Sequence, residues 1–177
     1  MKNPVRMRSN LITVIGSGLA ATEAEALYLC SSQSLGKEAT RPITIHLVEA
    51  KEIADLNKKY LRHTGPTDVL SFPLEAIPGV NNSPLGDVFI CPEEAESAGE
   101  PLLFLVMHSL LHLWGFDHVT DPDAWSSAYA QVKNCLPEPI LSTLDPRLRE
   151  HGFEANQPPN IRHSEAFPNG KAEESRT

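Results

Sequence analysis

The stretch from Pro101 to His118, PLLFLVMHSLLHLWGFDH, decides how the rest of this sequence must be arranged. From Pro101 to Trp114 it is apolar on every side, which predicts a helix at the centre of the domain and not on its surface. Pro101 suits the first position of that helix, and Gly115 is the natural place for it to end. The other elements should therefore pack around this helix.

The segments on both sides of this helix predict four strands and three further helices. The strands are predicted from runs of β-branched residues, and the helices from stretches rich in Ala and Leu. The expected strands are residues 11–15, 42–50, 69–72 and 87–91. The expected helices are residues 18–33, residues 51–60 and a last one that Asp121 and Asp123 open and that runs to Leu136. Residues 73–84 are expected to be a loose connection, and residues 92–100, with four glutamates, an acidic loop or a frayed turn.

Length and charge indicate one acidic domain. The chain has 177 residues, with 15 Lys and Arg against 23 Asp and Glu, which gives a formal charge of −8. We expect a single domain over residues 1–143 and a polar, disordered tail over residues 144–177. The acidic balance argues against coating nucleic acid through bulk charge and predicts weak nonspecific affinity for RNA. RNA stays open as a substrate, because a metal or a basic patch can act locally.

The cysteines and the apolar runs favour a cytoplasmic protein. Cys30, Cys91 and Cys135 are scattered without a CxxC spacing, which does not suggest a disulfide framework. The apolar run near the N-terminus is too short for the core of a signal peptide. The run from Pro101 to Trp114 is shorter than the roughly 18 residues that a membrane span needs.

Three histidines carry the strongest chemical signal. His108 and His112 are four residues apart, so a helix presents both imidazoles on one face, and the turn at Gly115 can return His118 to the same point. Three imidazoles with an open position are the ligand set of a catalytic zinc, with nickel, copper and iron as alternatives. Asp117 could orient a ring N–H of this site.

Two other interpretations of these histidines have to be weighed. A bare HxxxH pair is more often a pair of core histidines, but the third histidine and the glycine favour a metal site. Zinc peptidases of the HExxH type need a glutamate directly after the first histidine, and that position is Ser109 here. Peptide cleavage is therefore disfavoured.

A glycine-rich turn and a basic stretch are weaker signals. The segment from Gly16 to Ala21 resembles a dinucleotide fingerprint, but Glu49 lies 31 positions after Gly18 (49 − 18), where about 20 are expected, so we predict no nucleotide cofactor. Lys58, Lys59, Arg62 and His63 form the densest basic stretch. Beside a metal, one of its cations could hold a phosphate, and the alternative is an ordinary solvated helix end.

These blocks together resemble the YbeY family of bacterial metal-dependent endoribonucleases and rRNA maturation factors. The run from His108 to His118 is similar to the family's His-x-x-x-His-x-x-Gly-x-Asp-His signature. Leu56-Asn57, residues 66–73 (PTDVLSFP) and Leu85-Gly86-Asp87 match its other blocks in order and approximate spacing. The resemblance covers residues 42–118 strongly and the flanks weakly.

The resemblance implies a compact α/β (α+β) domain, with a small, mostly parallel four-stranded sheet packed on the central helix in a zincin-like arrangement. It also implies that His108, His112 and His118 bind one Zn²⁺ per chain. The implied substrate is single-stranded RNA, chiefly the 3′ end of small-subunit rRNA, with a role in ribosome quality control. The small ribosomal subunit and ribosomal or assembly-factor proteins are the expected partners, and no membrane is involved.

The chain departs from the family pattern at three positions, one of which is Thr64 or its neighbours in place of the family's acidic residue. The family's arginine follows a tyrosine shortly after Leu-Asn, whereas Tyr60 is followed by Leu61 and the arginine comes one place late, at Arg62. We assign the catalytic phosphate contact to Arg62. The family's glycine after the first histidine is Ser109. The rival functions are a zinc-stabilised, non-catalytic assembly factor and a metal-dependent hydrolase or peptidase of another class.

Overall fold

The structure is a computed structural model, and it describes residues 11–144. Its four strands form one sheet in the order β1-β2-β4-β3, with β1, β2 and β4 parallel and β3 antiparallel to β4. The strands are β1 (Ile12–Ile15), β2 (Ile43–Leu47), β3 (Val69–Pro73) and β4 (Gly86–Ile90). The predicted α+β class and mostly parallel four-stranded sheet are confirmed. The zincin-like arrangement stays a prediction.

Within residues 11–144, six helices accompany this sheet, and the apolar one is buried at the centre of the domain as predicted. They are α1 (Ala21–Ser34), α2 (Ala50–Leu61), α3 (Pro92–Ala98), α4 (Leu102–Leu113), α5 (Pro122–Cys135) and α6 (Glu138–Leu144). Every residue of α4 from Leu103 onward is buried. The helix packs on β3 and β4, and α1, α5 and α6 pack around it. Within residues 11–144, no helix is long and apolar enough to cross a membrane.

The alternation of side chains along the strands gives the sheet two different faces. Along β4, Val88 and Ile90 point to the core that contains α4, while Asp87 and Phe89 point to the other face. On that second face α2 covers β3 through a small cluster around Ile53 and Leu70. The metal-ligand candidates and α2 therefore lie on opposite sides of one sheet.

Gly86 brings α4 into close contact with the sheet. A Cβ at this position would collide with the side chain of Leu113 and with the carbonyl of Phe72. Because Leu113 follows His112, the missing side chain lets the histidine-bearing end of α4 rest directly on the start of β4. Packing thus explains the glycine in the Leu85-Gly86-Asp87 block.

The glycine-rich segment after β1 is a connection between a strand and a helix. Gly16 has φ +110°, and a Cβ on it would lie 2.8 Å from the Cβ of Leu47 on β2. Helix α1 begins only at Ala21, three residues later than predicted (21 − 18). Backbone conformation and packing therefore account for the glycine at position 16 without a nucleotide.

The prediction of a loop over residues 92–100 was wrong for most of that segment, which forms α3. Pro92 occupies the first turn of the helix, where Glu93 and Glu94 interact favourably with the positive end of its dipole. Ala95 is buried against the core, and Gly99 ends the helix with φ +72°. Two of the four glutamates that suggested a solvated loop therefore stabilise the start of a short helix.

A short helix lies at the predicted boundary between the domain and the tail. The structure contains α6, which was not predicted, and its last residue, Leu144, is buried although the sequence pattern assigns it to the tail. The predicted disordered tail otherwise lies outside the described residues. The predicted last helix agrees well with α5, whose N-cap Asp121 accepts a hydrogen bond from the backbone N–H of Ala124 at 3.0 Å.

The cysteines differ from the expectation. Cys30 of α1 and Cys135 of α5 form a disulfide across a sequence separation of 105, and Cys91 is free and buried. Scattered spacing could not suggest this pair, because the packing of α1 against α5 brings the two positions together. The bond ties the first helix to the last turn of α5.

We expect reduction of the disulfide to lower the thermal stability of the protein. Closing a loop of this length contributes about 2–5 kcal/mol, so the midpoint of thermal unfolding should fall by about 5–15 °C in a reducing agent. Circular dichroism with and without dithiothreitol measures the shift, and the double variant Cys30→Ser/Cys135→Ser should show no response to it. Equal unfolding midpoints for oxidised and reduced wild type would contradict the prediction.

Candidate metal centre

Helix α4 presents the first two candidate ligands from one face. His108 and His112 are one turn apart and both buried, and their Nε2 atoms lie 2.9 Å from each other. Both side chains lie among the buried apolar residues of α4 and are shielded from bulk water. The predicted pairing of these two side chains is therefore present.

A C-terminal Schellman motif turns the chain back after α4. The backbone N–H of Gly115 donates to the carbonyl of His112 at 2.9 Å, and that of Phe116 donates to the carbonyl of Leu111 at 3.0 Å. Gly115 has φ +86°, a left-handed conformation that glycine adopts without strain. The reversal brings His118, three residues further on, back beside the two histidines of α4.

Asp117 shapes the loop that carries His118. Its Oδ1 accepts hydrogen bonds from the backbone N–H of Val119 at 2.7 Å and of Thr120 at 3.3 Å. Burial raises the pKa of this carboxyl, but the hydrogen bonds and the charge of His112 outweigh burial and lower it overall. The carboxylate therefore orders the backbone that follows His118, and a bond from it to an imidazole stays a prediction.

The three imidazoles converge as a metal site requires. The ring centroids are 4.6 Å apart for His108 and His112, 5.3 Å for His108 and His118, and 5.4 Å for His112 and His118. One nitrogen of each ring lies within 4.8 Å of the others. Tetrahedral zinc, with bonds of about 2.0–2.1 Å, holds its nitrogens about 3.3 Å apart. The three histidine nitrogens would therefore have to approach one another by at most about 1.5 Å (4.8 − 3.3) to hold a zinc ion, a movement that rotations of the side chains can supply.

Trp125 of α5 completes the cluster, and the sequence pattern did not single it out. Its ring centroid lies 4.8 Å from that of His108, 4.7 Å from that of His112 and 4.9 Å from that of His118. The side chain is buried, and it shares a face of α5 with Ala128 and Val132. That spacing predicts burial, but only the packing of α5 shows that the indole touches all three imidazoles.

The predicted catalytic cation lies at the end of α2. Arg62 is the C-cap of that helix, with φ +59° and an exposed side chain. It follows Lys58 and Lys59 in the last turn, and the Nζ of Lys59 lies 4.9 Å from the centroid of the Tyr60 ring. Arg62 is not packed in the buried histidine cluster, so its role in catalysis stays a prediction.

Arg41 holds the long connection before β4 in place, another role that the sequence did not suggest. Its guanidinium donates hydrogen bonds to the carbonyls of Ser83 at 3.1 Å and Leu74 at 2.7 Å, and also to that of Pro84. Its own carbonyl accepts one from Tyr28 at 2.8 Å. Burial raises the pKa of Tyr28 above its usual value, so the phenol stays a donor.

Comparison with known proteins identifies a family for this chain. The YbeY family, described as endoribonuclease YbeY, matches residues 19–134, which include all three histidines, Trp125 and Arg62. This chain belongs to the YbeY endoribonuclease family. A solution structure of the Thermotoga maritima protein TM1509 is also similar, with 22% identity, a TM-score of 0.44 and coverage of 85% of this chain and 99% of that one.

Membership in the YbeY family indicates the general activity of this protein, which is that of an endoribonuclease. It confirms the resemblance of the motifs and places the chain among endoribonucleases, with RNA as the substrate. The family match spans helix α4, the turn at Gly115 and the loop of His118. These are the segments that bring the three imidazoles together.

Gly115 offers a test of how the turn positions His118. In Gly115→Ala the added Cβ meets no neighbour, but φ +86° strains it, so we expect a loss of about 1–2 kcal/mol in the free energy of unfolding and weaker zinc binding. Gly115→Asn should lose less of both, because asparagine tolerates this conformation. Chemical denaturation and zinc titration against a chelator measure the two effects. Equal losses in both variants would contradict this account.

Trp125 offers a second test. Trp125→Leu removes the ring that contacts all three imidazoles, so we expect zinc affinity to fall about tenfold and stability to fall by about 2–4 kcal/mol. Val132→Ala, two turns further along the same buried face of α5, is the matched control and should affect stability alone. Competition titrations and thermal unfolding separate the two quantities. Unchanged zinc affinity in Trp125→Leu would show that the indole does not position the ligands.

Proposed function

We propose that this protein is a zinc-dependent endoribonuclease that cuts single-stranded RNA during rRNA processing, chiefly at the 3′ end of small-subunit rRNA. The convergence of His108, His112 and His118 in a family of endoribonucleases is the observation that carries the proposal. The wider proposal includes ribosome quality control in the cytoplasm. It also includes the small ribosomal subunit and its ribosomal or assembly-factor proteins as partners.

Different residues of this chain would have different roles in the proposed reaction. The three histidines would hold one Zn²⁺, which supplies Lewis-acid chemistry to a phosphodiester and lowers the pKa of water. The apolar shell of α4 excludes bulk water, and Asp117 holds the loop of His118. Arg62 would bind the scissile phosphate bidentately and neutralise the negative charge that develops on it.

A metal hydrolase of another class is the weaker alternative. Ser109, buried between the two histidines of α4, stands where a zinc peptidase has its general base. A non-catalytic assembly factor with structural zinc is the other alternative, and the burial of His108 and His112 in the core is the feature that favours it. In that case removal of the metal would unfold a domain that never cuts RNA.

The proposal is tested with purified full chain, by metal analysis and by cleavage of a single-stranded oligonucleotide from the rRNA 3′ end. We expect about one zinc per chain in wild type and loss of both zinc and cleavage in His112→Ala. Ser109→Ala, on the same helix, should keep both. Arg62→Gln should keep its zinc and cut about a hundredfold more slowly. Wild type purified without chelators and free of metal, or cleavage by His112→Ala, would contradict the proposal.

The ends of the products identify the nucleophile. A cyclic phosphate, or the 2′- or 3′-phosphate to which it opens, indicates attack by the substrate 2′-OH. A 3′-hydroxyl formed directly excludes that attack and indicates water. Mass spectrometry of the short fragments distinguishes the two.

A further inference from the structure

A row of four rings crosses the sheet face opposite α4. His46 of β2 stacks on Phe89 of β4 with 4.5 Å between centroids and 8° between planes. Phe72 of β3 meets Phe89 edge-on at 5.6 Å, and Tyr60 of α2 meets Phe72 edge-on at 5.0 Å. The rings therefore form one continuous aromatic row from the middle of the sheet to the end of α2.

Strand register explains why these rings are neighbours. His46 pairs directly with Phe89, and on its other side it pairs with Ile15 of β1. All four rings keep contact with solvent: Phe72 and Phe89 are partly exposed, Tyr60 is 52% exposed, and the His46 side chain is 26% exposed. Ile15, at the His46 end, is 51% exposed. This surface combines flat apolar rings with access from solvent.

Charged groups flank the aromatic row unevenly. At the Tyr60 end, Lys59 lies over the ring, and Lys58 and Arg62 are close by in the sequence. Asp87 lies beside the middle of the row, because it pairs with Phe72 and its carboxylate is 3.5 Å from the Nε2 of His46. A polyanion is therefore favoured at the α2 end and disfavoured beside Asp87, while flat groups can stack on the rings.

We propose that the aromatic row binds single-stranded RNA by stacking its bases, with the phosphates held by Lys59 and Lys58. The inference rests on the proposed function, since it takes RNA as the substrate. A formal charge of −8 gives this protein little general attraction for RNA, whereas stacking on rings does not depend on net charge. Bases without a Watson–Crick partner can reach the rings, so the surface selects single strands.

The topology connects this surface with the histidine cluster. Leu113, beside His112, lies against Gly86 at the start of β4. Tyr60 contacts Phe72, which pairs with Asp87, the residue directly after Gly86. The last turns of α2 and α4 therefore lie at the same end of the sheet on its two faces, with edge strand β3 beside both. A strand bound to the aromatic row can pass around β3, past Arg62, toward the imidazoles.

The test measures the affinity of full-length protein, purified without chelators, for a fluorescent single-stranded RNA of about twelve nucleotides, and a gel of the recovered RNA verifies that it stays intact during the measurement. Tyr60→Leu and Phe89→Leu should each weaken binding about tenfold, and Tyr60→Phe, which keeps the ring, should bind as wild type does. Lys59→Gln should reduce the slope of log affinity against log salt by about 0.7, the effect of one lost phosphate contact. Lys51→Gln, in the first turn of α2, is the matched control and should change neither.

An oligomer with abasic sites separates stacking from charge. It should bind wild type and Phe89→Leu equally and weakly, because it offers no bases to the rings. Equal affinity of wild type, Tyr60→Leu and Phe89→Leu for the normal oligomer would overturn the inference and leave this face to a protein partner. Thermal unfolding checks that Phe89→Leu is folded, and Tyr60, being exposed, provides the variant with the least effect on the core.

Failure of this inference can be distinguished from failure of the proposed function. If the ring variants bind RNA normally while the zinc-loaded protein cuts it, the aromatic row is excluded and the nuclease stands. If the ring variants weaken binding but no condition produces cleavage, the surface stands and the protein is a binding factor.

Discussion

Helix α4 is buried on all sides, yet it carries two imidazoles, and the rest of the structure depends on how that conflict is resolved. A polar group taken out of water costs about 1–3 kcal/mol unless it finds partners. Here His108 and His112 face each other, His118 is returned to them by the turn at Gly115, and Trp125 closes the group. The surrounding elements thus collect the polar rings at one point, which is also what a metal requires.

The sequence was a good guide wherever one local pattern determined the outcome. The apolar run of α4 and the four-residue spacing of its histidines depend only on helix geometry, and the strands follow from β-branched runs. Helix α3 was missed because four glutamates suggested solvent, whereas the interaction of Glu93 and Glu94 with the helix dipole and the burial of Ala95 stabilise a helix there. Local patterns of this kind do not determine how strands pair, and only the family resemblance implied a mostly parallel sheet.

Features that depend on tertiary packing could not be predicted. Cys30 and Cys135 are 105 residues apart and meet only because α1 packs on α5. Trp125 has the helical spacing of an ordinary core residue, and its contact with three histidines depends on where α5 lies. Gly86 belongs to a motif that is visible in the sequence, but the need for glycine at this position comes from the close approach of Leu113. In each case the deciding partner lies far away in sequence.

The two faces of the sheet suggest how an acidic protein can act on RNA. Bulk attraction is weak at a formal charge of −8, so recognition has to come from short-range contacts. Base stacking is such a contact, and a dication held by the three histidines would add local positive charge. The acidic residues at the start of α3 stabilise that helix, and Glu93 is exposed to solvent. If the aromatic row binds RNA as proposed, selectivity for single strands would follow from low net attraction, because a duplex offers phosphates but its bases cannot reach the rings.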